Sequence, residues 1–326
     1  MMYTITQLQD LVNKQIASKS YTESPSELYE PITYIMSLGG KRMRPVLTLM
    51  ACDLFNGHIT AALDAAVAIE LFHNFTLMHD DIMDKAPIRR GKATVHSKWN
   101  DNIAILSGDV MLIESYKLLV GSVESPVLKE VLDVFNETAA GVCQGQQIDM
   151  NFEVTDEVNV AQYLEMIRLK TAVLLGGSLK IGALIGKAST ELADELYDFG
   201  ENVGIAFQLQ DDILDVYGDP EKFGKQVGGD ILSNKKTFLL IKALELADEL
   251  DKEELTYWIN ATEFDPASKI KSVTGIYNRL GLRPLAEEEM NHYARKALAA
   301  LDKVSVAPEK KQALAEFAGQ LLIRET

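Results

Sequence analysis

The chain has 326 residues, 47% of them hydrophobic, enough to bury a large core, and its nine prolines and 21 glycines exclude a fibrous or disordered composition. A formal net charge of −16 argues against nucleic acid as the main partner, because phosphate backbones need a basic surface. Two well-separated cysteines, Cys52 and Cys143, provide neither a disulfide framework nor a zinc spacing, which suits a reducing, cytoplasmic setting.

Apolar residues recur at intervals of three and four almost everywhere, with no convincing alternating strand run. The pattern predicts helices over 3–19, 24–38, 44–56, 60–85, 101–122, 125–151, 156–186 with a break near Lys170, 190–217, 235–248, 250–260, 265–280, 283–303 and 308–323. Breaks fall at Ser24-Pro25, Gly39-Gly40, Pro87, Gly91, Asp219-Pro220 and Gly228-Gly229, where turn chemistry is expected. No linker divides the chain, so one all-α domain over 1–326, a helical bundle, is the economical expectation. The polar N-terminus shows no signal peptide, and no transmembrane segment is expected, since even TAVLLGGSLKIGALIG is interrupted by Lys180.

In an acidic chain, concentrated basic stretches carry information. Lys41, Arg42 and Arg44 follow Gly39-Gly40 and precede an expected helix start at Pro45, a plausible anion cradle. Helix 60–85 then carries His73 and, two turns on, a box of three aspartates, Asp80, Asp81 and Asp84, followed by Arg89 and Arg90. A second box of the same spacing, Asp211, Asp212 and Asp215, lies in FQLQDDILDVYGD. Residues four apart stack on one helix face, so each box makes a one-turn pair of carboxylates with a third beside it.

A solvated acidic face is the plain alternative, and Lys85 could pair weakly with Asp81. The neighbours Leu77, Met78, Ile82 and Met83, and Leu209, Ile213 and Leu214, are apolar, and like charges at that spacing disfavour a helix. If the boxes face each other, their carboxylates need a cation. All-oxygen ligation selects magnesium or manganese, which complete their shells with water and phosphate oxygens. Arginines beside the acids make sense if a phosphate lies between metal and guanidinium. An iron-carboxylate bundle would use glutamates and a Glu-x-x-His pattern, which neither box contains. No triad-like arrangement appears.

GGKRMRP, ELFHNFTLMHDDIMDKAPIRRG, LKTA, FQLQDDILD and GKQVGGDILSNKKT, in this order over nearly the whole length, resemble the trans-isoprenyl diphosphate synthases of farnesyl and geranylgeranyl type. The resemblance implies an all-helical bundle around a deep central cavity, usually a homodimer. It also implies that Asp80, Asp81, Asp84, Asp211 and Asp215 ligate three magnesium ions on an allylic diphosphate, with Asp212 in support. By the same resemblance, Arg89, Lys170, Lys225 and Lys235 grip that diphosphate, and Lys41, Arg44, His73 and Arg90 take isopentenyl diphosphate. Thr171 and Gln208 line the allylic cation. The implied reaction is head-to-tail condensation by magnesium-assisted ionisation of a dimethylallyl, geranyl or farnesyl primer. The family often ends in a basic tail; here the last residues are LLIRET, with Arg324 alone. Gln144, Gln146 and Asp149 resemble a family patch of unclear duty and are left outside the expected site.

Product length is expected to depend on what lies below the first box. At 1.5 Å per residue, Phe75 sits ~7.5 Å and Phe72 ~12 Å below Asp80. An aromatic Phe75 beside the small Thr76 resembles a geranylgeranyl-type pattern more than a farnesyl-type one. A terpene cyclase shares the implied fold and first box but generally lacks the second box and the isopentenyl site. A non-catalytic partner subunit would be expected to have lost aspartates, and all six are present.

Overall fold

The computed structural model describes residues 3–55, 57–155, 157–219 and 227–322. Lys225 and Arg324, both singled out from the sequence, lie outside them. Among the described residues the protein is all-α apart from one antiparallel hairpin, β1 (Ile88–Arg89) and β2 (Lys92–Ala93), in which Ile88 pairs with Ala93. The chain divides into two compact units, residues 1–136, 177–197 and 305–311, and residues 137–176, 198–304 and 312–326.

In the first unit, α1 (Ile5–Ser18), α2 (Ser26–Ser37), α3 (Met43–Leu54) and α6 (Asp101–Ser122) pack around α4 (Ile59–Met83). Thr4 starts α1 with a capping box to Gln7, and Asn100 caps α6 through the Ile103 N–H. Helix α4 has an unbroken buried run from Ala65 to Phe72, apolar except for Glu70, so it is buried on every face there and must be a core helix. By length and composition it could cross a membrane, contrary to the expectation from the sequence that no segment qualifies. Yet 67% of its most apolar window is buried within the protein. Close backbone approach extends this packing: a Cβ at Gly182 would lie 2.1 Å from the Thr48 carbonyl oxygen.

The second unit takes in the later part of α7 (Ser125–Val154), α8 (Val160–Ile167), a π-helical turn (Arg168–Ala172), the start of α9 (Val173–Ile185) and most of α10 (Thr190–Tyr217). After these come α11 (Gly229–Leu232), α12 (Phe238–Leu246), α13 (Glu249–Asn260), α14 (Pro266–Arg279), α15 (Leu282–Lys303) and α16 (Pro308–Leu322), the last of which begins in the first unit. Tyr163, Leu209, Leu239, Leu255, Ile276 and Leu282 centre its core. Each such side chain contributes roughly 1.5–3 kcal/mol by leaving water.

The break expected near Lys170 is present: two helices flank a π turn that contains it. The segment between the helices expected over 60–85 and 101–122 holds the hairpin and the short α5 (Val95–Lys98). Helix α3 begins at Met43 rather than Pro45, because Arg42 adopts the left-handed conformation (φ 49°) and ends the glycine turn itself.

Candidate active site

The two aspartate boxes belong to different units and are described in turn. Asp80 and Asp81 occupy the last turn of α4, and Asp84 terminates the helix, its N–H donating to the Asp80 carbonyl at 2.8 Å. Asp81 is buried and grips Arg89 with both oxygens, Nε to Oδ1 at 2.8 Å, Nε to Oδ2 at 2.9 Å and Nη2 to Oδ1 at 2.7 Å. The hairpin carries Arg89 into place. Asp80 is half-buried and Asp84 exposed, so the carboxylate pair one turn apart faces solvent while the middle one faces protein. His79 turns aside to the Ile105 carbonyl, Nε2 to oxygen 3.1 Å, and Gly108 leaves room for its ring.

Beside α4 the two basic stretches meet. Arg90, at φ 51°, donates from Nη1 to the Gly39 carbonyl, and its guanidinium lies so close over Gly40 that a Cβ there would stand 3.0 Å from it. Gly40 has φ 139°, which side chains rarely adopt, so glycine is required there twice over. Arg44 Nη1 lies 3.2 Å from His73 Nε2. Burial, and then the charges of Arg44, Arg90, Arg89 and Arg42, hold the His73 pKa well below the usual histidine range. His73 is therefore neutral at pH 7, and since Arg44 must donate, Nε2 accepts and the ring proton sits on Nδ1. Burial lowers Arg44 itself to about 10. The Arg44 Nε is buried without a hydrogen-bond partner, an expensive condition unless an anion completes it.

Arg42 does not join this cradle, against expectation. It is 5% exposed and pairs with buried Glu70 (Nη1 to Oε1, 2.6 Å), the Met36 carbonyl (2.8 Å) and Asn13 (3.3 Å). Below the box, Phe75 stacks edge-on with His79 (centroids 4.8 Å) and tilts against Phe72 (5.7 Å), which meets Phe135 at 5.3 Å. Phe75 is 8% exposed and Phe72 fully buried, while Thr76 turns its hydroxyl to the His73 carbonyl.

In the second unit, Asp212 is buried between two donors, the Tyr163 hydroxyl on Oδ2 at 2.5 Å and the Gln208 amide on Oδ1 at 3.1 Å. Thr171 donates in turn to Gln208 Oε1 at 3.3 Å. Burial and the nearby Asp230 push the Asp212 carboxyl up to about 7, against the opposing pull of Lys235, Tyr163 and Gln208. Asp215 accepts the Asp230 N–H on Oδ2 at 2.9 Å, and its carbonyl accepts the Gly228 N–H at 2.6 Å. Lys170 pairs with Asp149 at 2.6 Å. The π turn that presents Lys170 and Thr171 is clasped by two glycines: a Cβ at Gly145 would fall 2.2 Å from the Lys170 nitrogen, and one at Gly204 2.6 Å from the Ala172 Cα. Lys170, Thr171, Gln208, Asp212 and Lys235 line one small pocket with Asp149 and Tyr163.

Sequence reasoning named Asp149 but left it outside the site, and it missed Tyr163 and Asp230. Tyr163 lies two helical turns before Lys170, so periodicity could have paired them, whereas nothing local marks Asp230. Among the described residues no three histidines, cysteines or carboxylates converge on one point. The donors present are carboxylate pairs one helical turn apart, Asp80 with Asp84 and Asp211 with Asp215. That set fits magnesium, which binds through one or two carboxylates and takes water and phosphate oxygens for the remainder.

The model of the family described as Polyprenyl synthetase matches residues 25–277. A geranylgeranyl diphosphate synthase of Methanosarcina mazei is 42% identical over 228 residues, 70% of each chain. A short chain isoprenyl diphosphate synthase of Methanothermobacter thermautotrophicus is 35% identical over 97% of this chain and 96% of its own. A crystal structure of a geranylgeranyl pyrophosphate synthase superposes with a TM-score of 0.94 at 43% identity, covering 100% of both chains. Fold and matches together define the class, an all-α trans-prenyltransferase. The chain belongs to the polyprenyl synthetase family.

Proposed function

We propose that the protein condenses isopentenyl diphosphate head-to-tail with an allylic diphosphate to release pyrophosphate, with geranylgeranyl diphosphate as the product that Phe75 favours. The carrying observation is the cradle of Arg44, His73 and Arg90. It is a half-buried cationic pocket, with Arg90 at its exposed edge, in which the buried Arg44 Nε lacks a partner and the buried carboxylate of Glu70 is engaged by Arg42. A diphosphate supplies the missing acceptors. The neutral His73 donates from Nδ1 without adding charge.

Asp80, Asp81, Asp84, Asp211 and Asp215 are the residues that would hold magnesium, or manganese in its place. Bound there, the metal neutralises the diphosphate and makes it a better leaving group. Arg89 and Lys170 each start from a carboxylate partner, Asp81 and Asp149, and exchange it for phosphate oxygens as the allylic C–O bond breaks. Thr171 and Gln208 would line the developing cation, with Met166 and Ile167 as the aliphatic part of the same pocket. The double bond of isopentenyl diphosphate attacks, and the proton leaves with the departed pyrophosphate, so no side-chain base is required.

We further place the protein in the cytoplasm as a homodimer. Leu106, Ile113 and Val120 recur every seven residues along α6 and are 57%, 55% and 53% exposed, an apolar stripe suited to a second copy. Light scattering of Ile113→Glu tests this, a dimeric variant counting against the stripe.

Incubation with magnesium, isopentenyl diphosphate and labelled dimethylallyl, geranyl or farnesyl diphosphate tests the activity. Longer prenyl diphosphates support it. Hydrocarbons would point to a cyclase, and absence of turnover to a non-catalytic subunit.

A further inference from the structure

Lys269 is 1% exposed, on α14, and makes no ion pair with a carboxylate among the described residues. Its ammonium instead has three uncharged neighbours for its three N–H bonds. These are Asn234 Oδ1 at 2.7 Å, the Leu232 carbonyl at 3.4 Å and the face of Phe264, 4.3 Å from the ring centroid. Burying a cation costs several kcal/mol of hydration, and an apolar residue would fill the same volume without that cost. Whatever Lys269 contributes must therefore lie in what it holds.

It holds a strap. Leu232 and Asn234 form the turn after α11, with Asn234 at φ 53° and its Nδ2 tied to the Ile259 carbonyl at 3.0 Å. The same strap carries the Gly228 and Asp230 N–H groups that fix Asp215, and closes on itself through Lys235 N–H to the Asp230 carbonyl at 2.9 Å. The next residue of α14, Ile270, packs so tightly on Gly228 that a Cβ there would meet its Cδ1 at 2.7 Å. Lys269 and Ile270 thus clamp the strap at both ends, and the strap clamps Asp215.

We propose that Lys269 is a positioning residue for the second aspartate box, holding the strap 228–235 so that the Asp230 amide orients the Asp215 carboxylate toward metal-bound diphosphate. The inference rests on the functional reading above for its ligand, though the clamp itself can be tested without turnover. Two variants serve: Lys269→Met, which keeps volume and removes the charge, and Asn234→Gly, which removes the acceptor where a positive φ suits glycine.

In the full-length protein, hydrogen exchange of the amides in 228–235 is expected to accelerate about tenfold in both variants. Calorimetric binding of pyrophosphate with magnesium is expected to weaken by about the same factor, and the KM for the allylic diphosphate to rise about tenfold while kcat stays within about threefold. If Lys269→Met does not fold, Asn234→Gly decides. Wild-type exchange in 228–235 together with wild-type pyrophosphate binding overturns the proposal. Lack of turnover by the wild-type protein would instead sink the functional reading, leaving exchange and binding to judge the clamp.

Discussion

Asp149 on α7 holds the ammonium of Lys170 at 2.6 Å, and both side chains are about three-quarters buried. The pair keeps Lys170 extended across the pocket floor before any substrate arrives. A carboxylate in that place also competes with an incoming diphosphate for the same cation. Asp149→Asn keeps the shape and removes the competing charge. Pyrophosphate is then expected to inhibit about fivefold more tightly, on the order of 1 kcal/mol. An inhibition constant at or above the wild-type value would refute the exchange of partners.

The buried Asp212 makes the metal-free protein pH-sensitive. Its carboxyl titrates near 3.8 ordinarily and at about 7 in the folded chain. Between those values the folded state keeps a proton that the unfolded state has released. The stability from this group is complete below about pH 4 and is lost as pH rises through 7, a swing on the order of 4 kcal/mol. Urea unfolding of metal-free protein at pH 5 and pH 8 measures it, with Asp212→Asn as the control. Equal pH slopes in the two proteins would rule the assignment out.

Arg42 and Glu70 form an ion pair in which each side chain is 3% exposed. Asn74 Nδ2 reaches the Glu70 side chain at 3.2 Å but also its carbonyl at 2.8 Å, so losing the side chain strands the arginine while the amide keeps a partner. Glu70→Ala is expected to cost about 3–5 kcal/mol in a denaturant titration. A loss below ~1 kcal/mol would show that water or a rearranged partner satisfies Arg42.

Phe75 is expected to limit elongation. Phe75→Ala opens a gap within the aromatic row His79–Phe75–Phe72–Phe135, and the product mixture should shift to chains at least one isoprene unit longer. The substitution also costs about 3–5 kcal/mol of packing, so product analysis belongs at low temperature. An unchanged chain-length distribution would make Phe75 ordinary core.

Helical periodicity revealed the stacked acids of each box, because carboxylates four apart on an apolar helix repel each other unless a cation sits between them. The faltering pattern at Lys170 was legible from periodicity too: a π turn slips the register by one residue. Periodicity could not separate Arg42 from Arg44. Both are arginines after a glycine turn, and only the left-handed backbone at Arg42 sends one inward to Glu70 while the other reaches His73. Lys269 was invisible for a related reason, since a lysine on an amphipathic helix reads as solvent-facing until Asn234 and Phe264 are seen around it.

The π turn at 168–172 governs how this chain tolerates change. It holds one residue more than the regular helix would need, and Gly145 and Gly204 press on it from two sides. Substituting a side chain there alters one contact. Deleting one residue of this turn would regularise the helix: the flanking helices would keep their faces, but the extra step that presents Lys170 and Thr171 to the pocket would be lost. The segment is thus guarded less by the identity of its letters than by their number, and a shift in count that most loops absorb would here unmake the pocket.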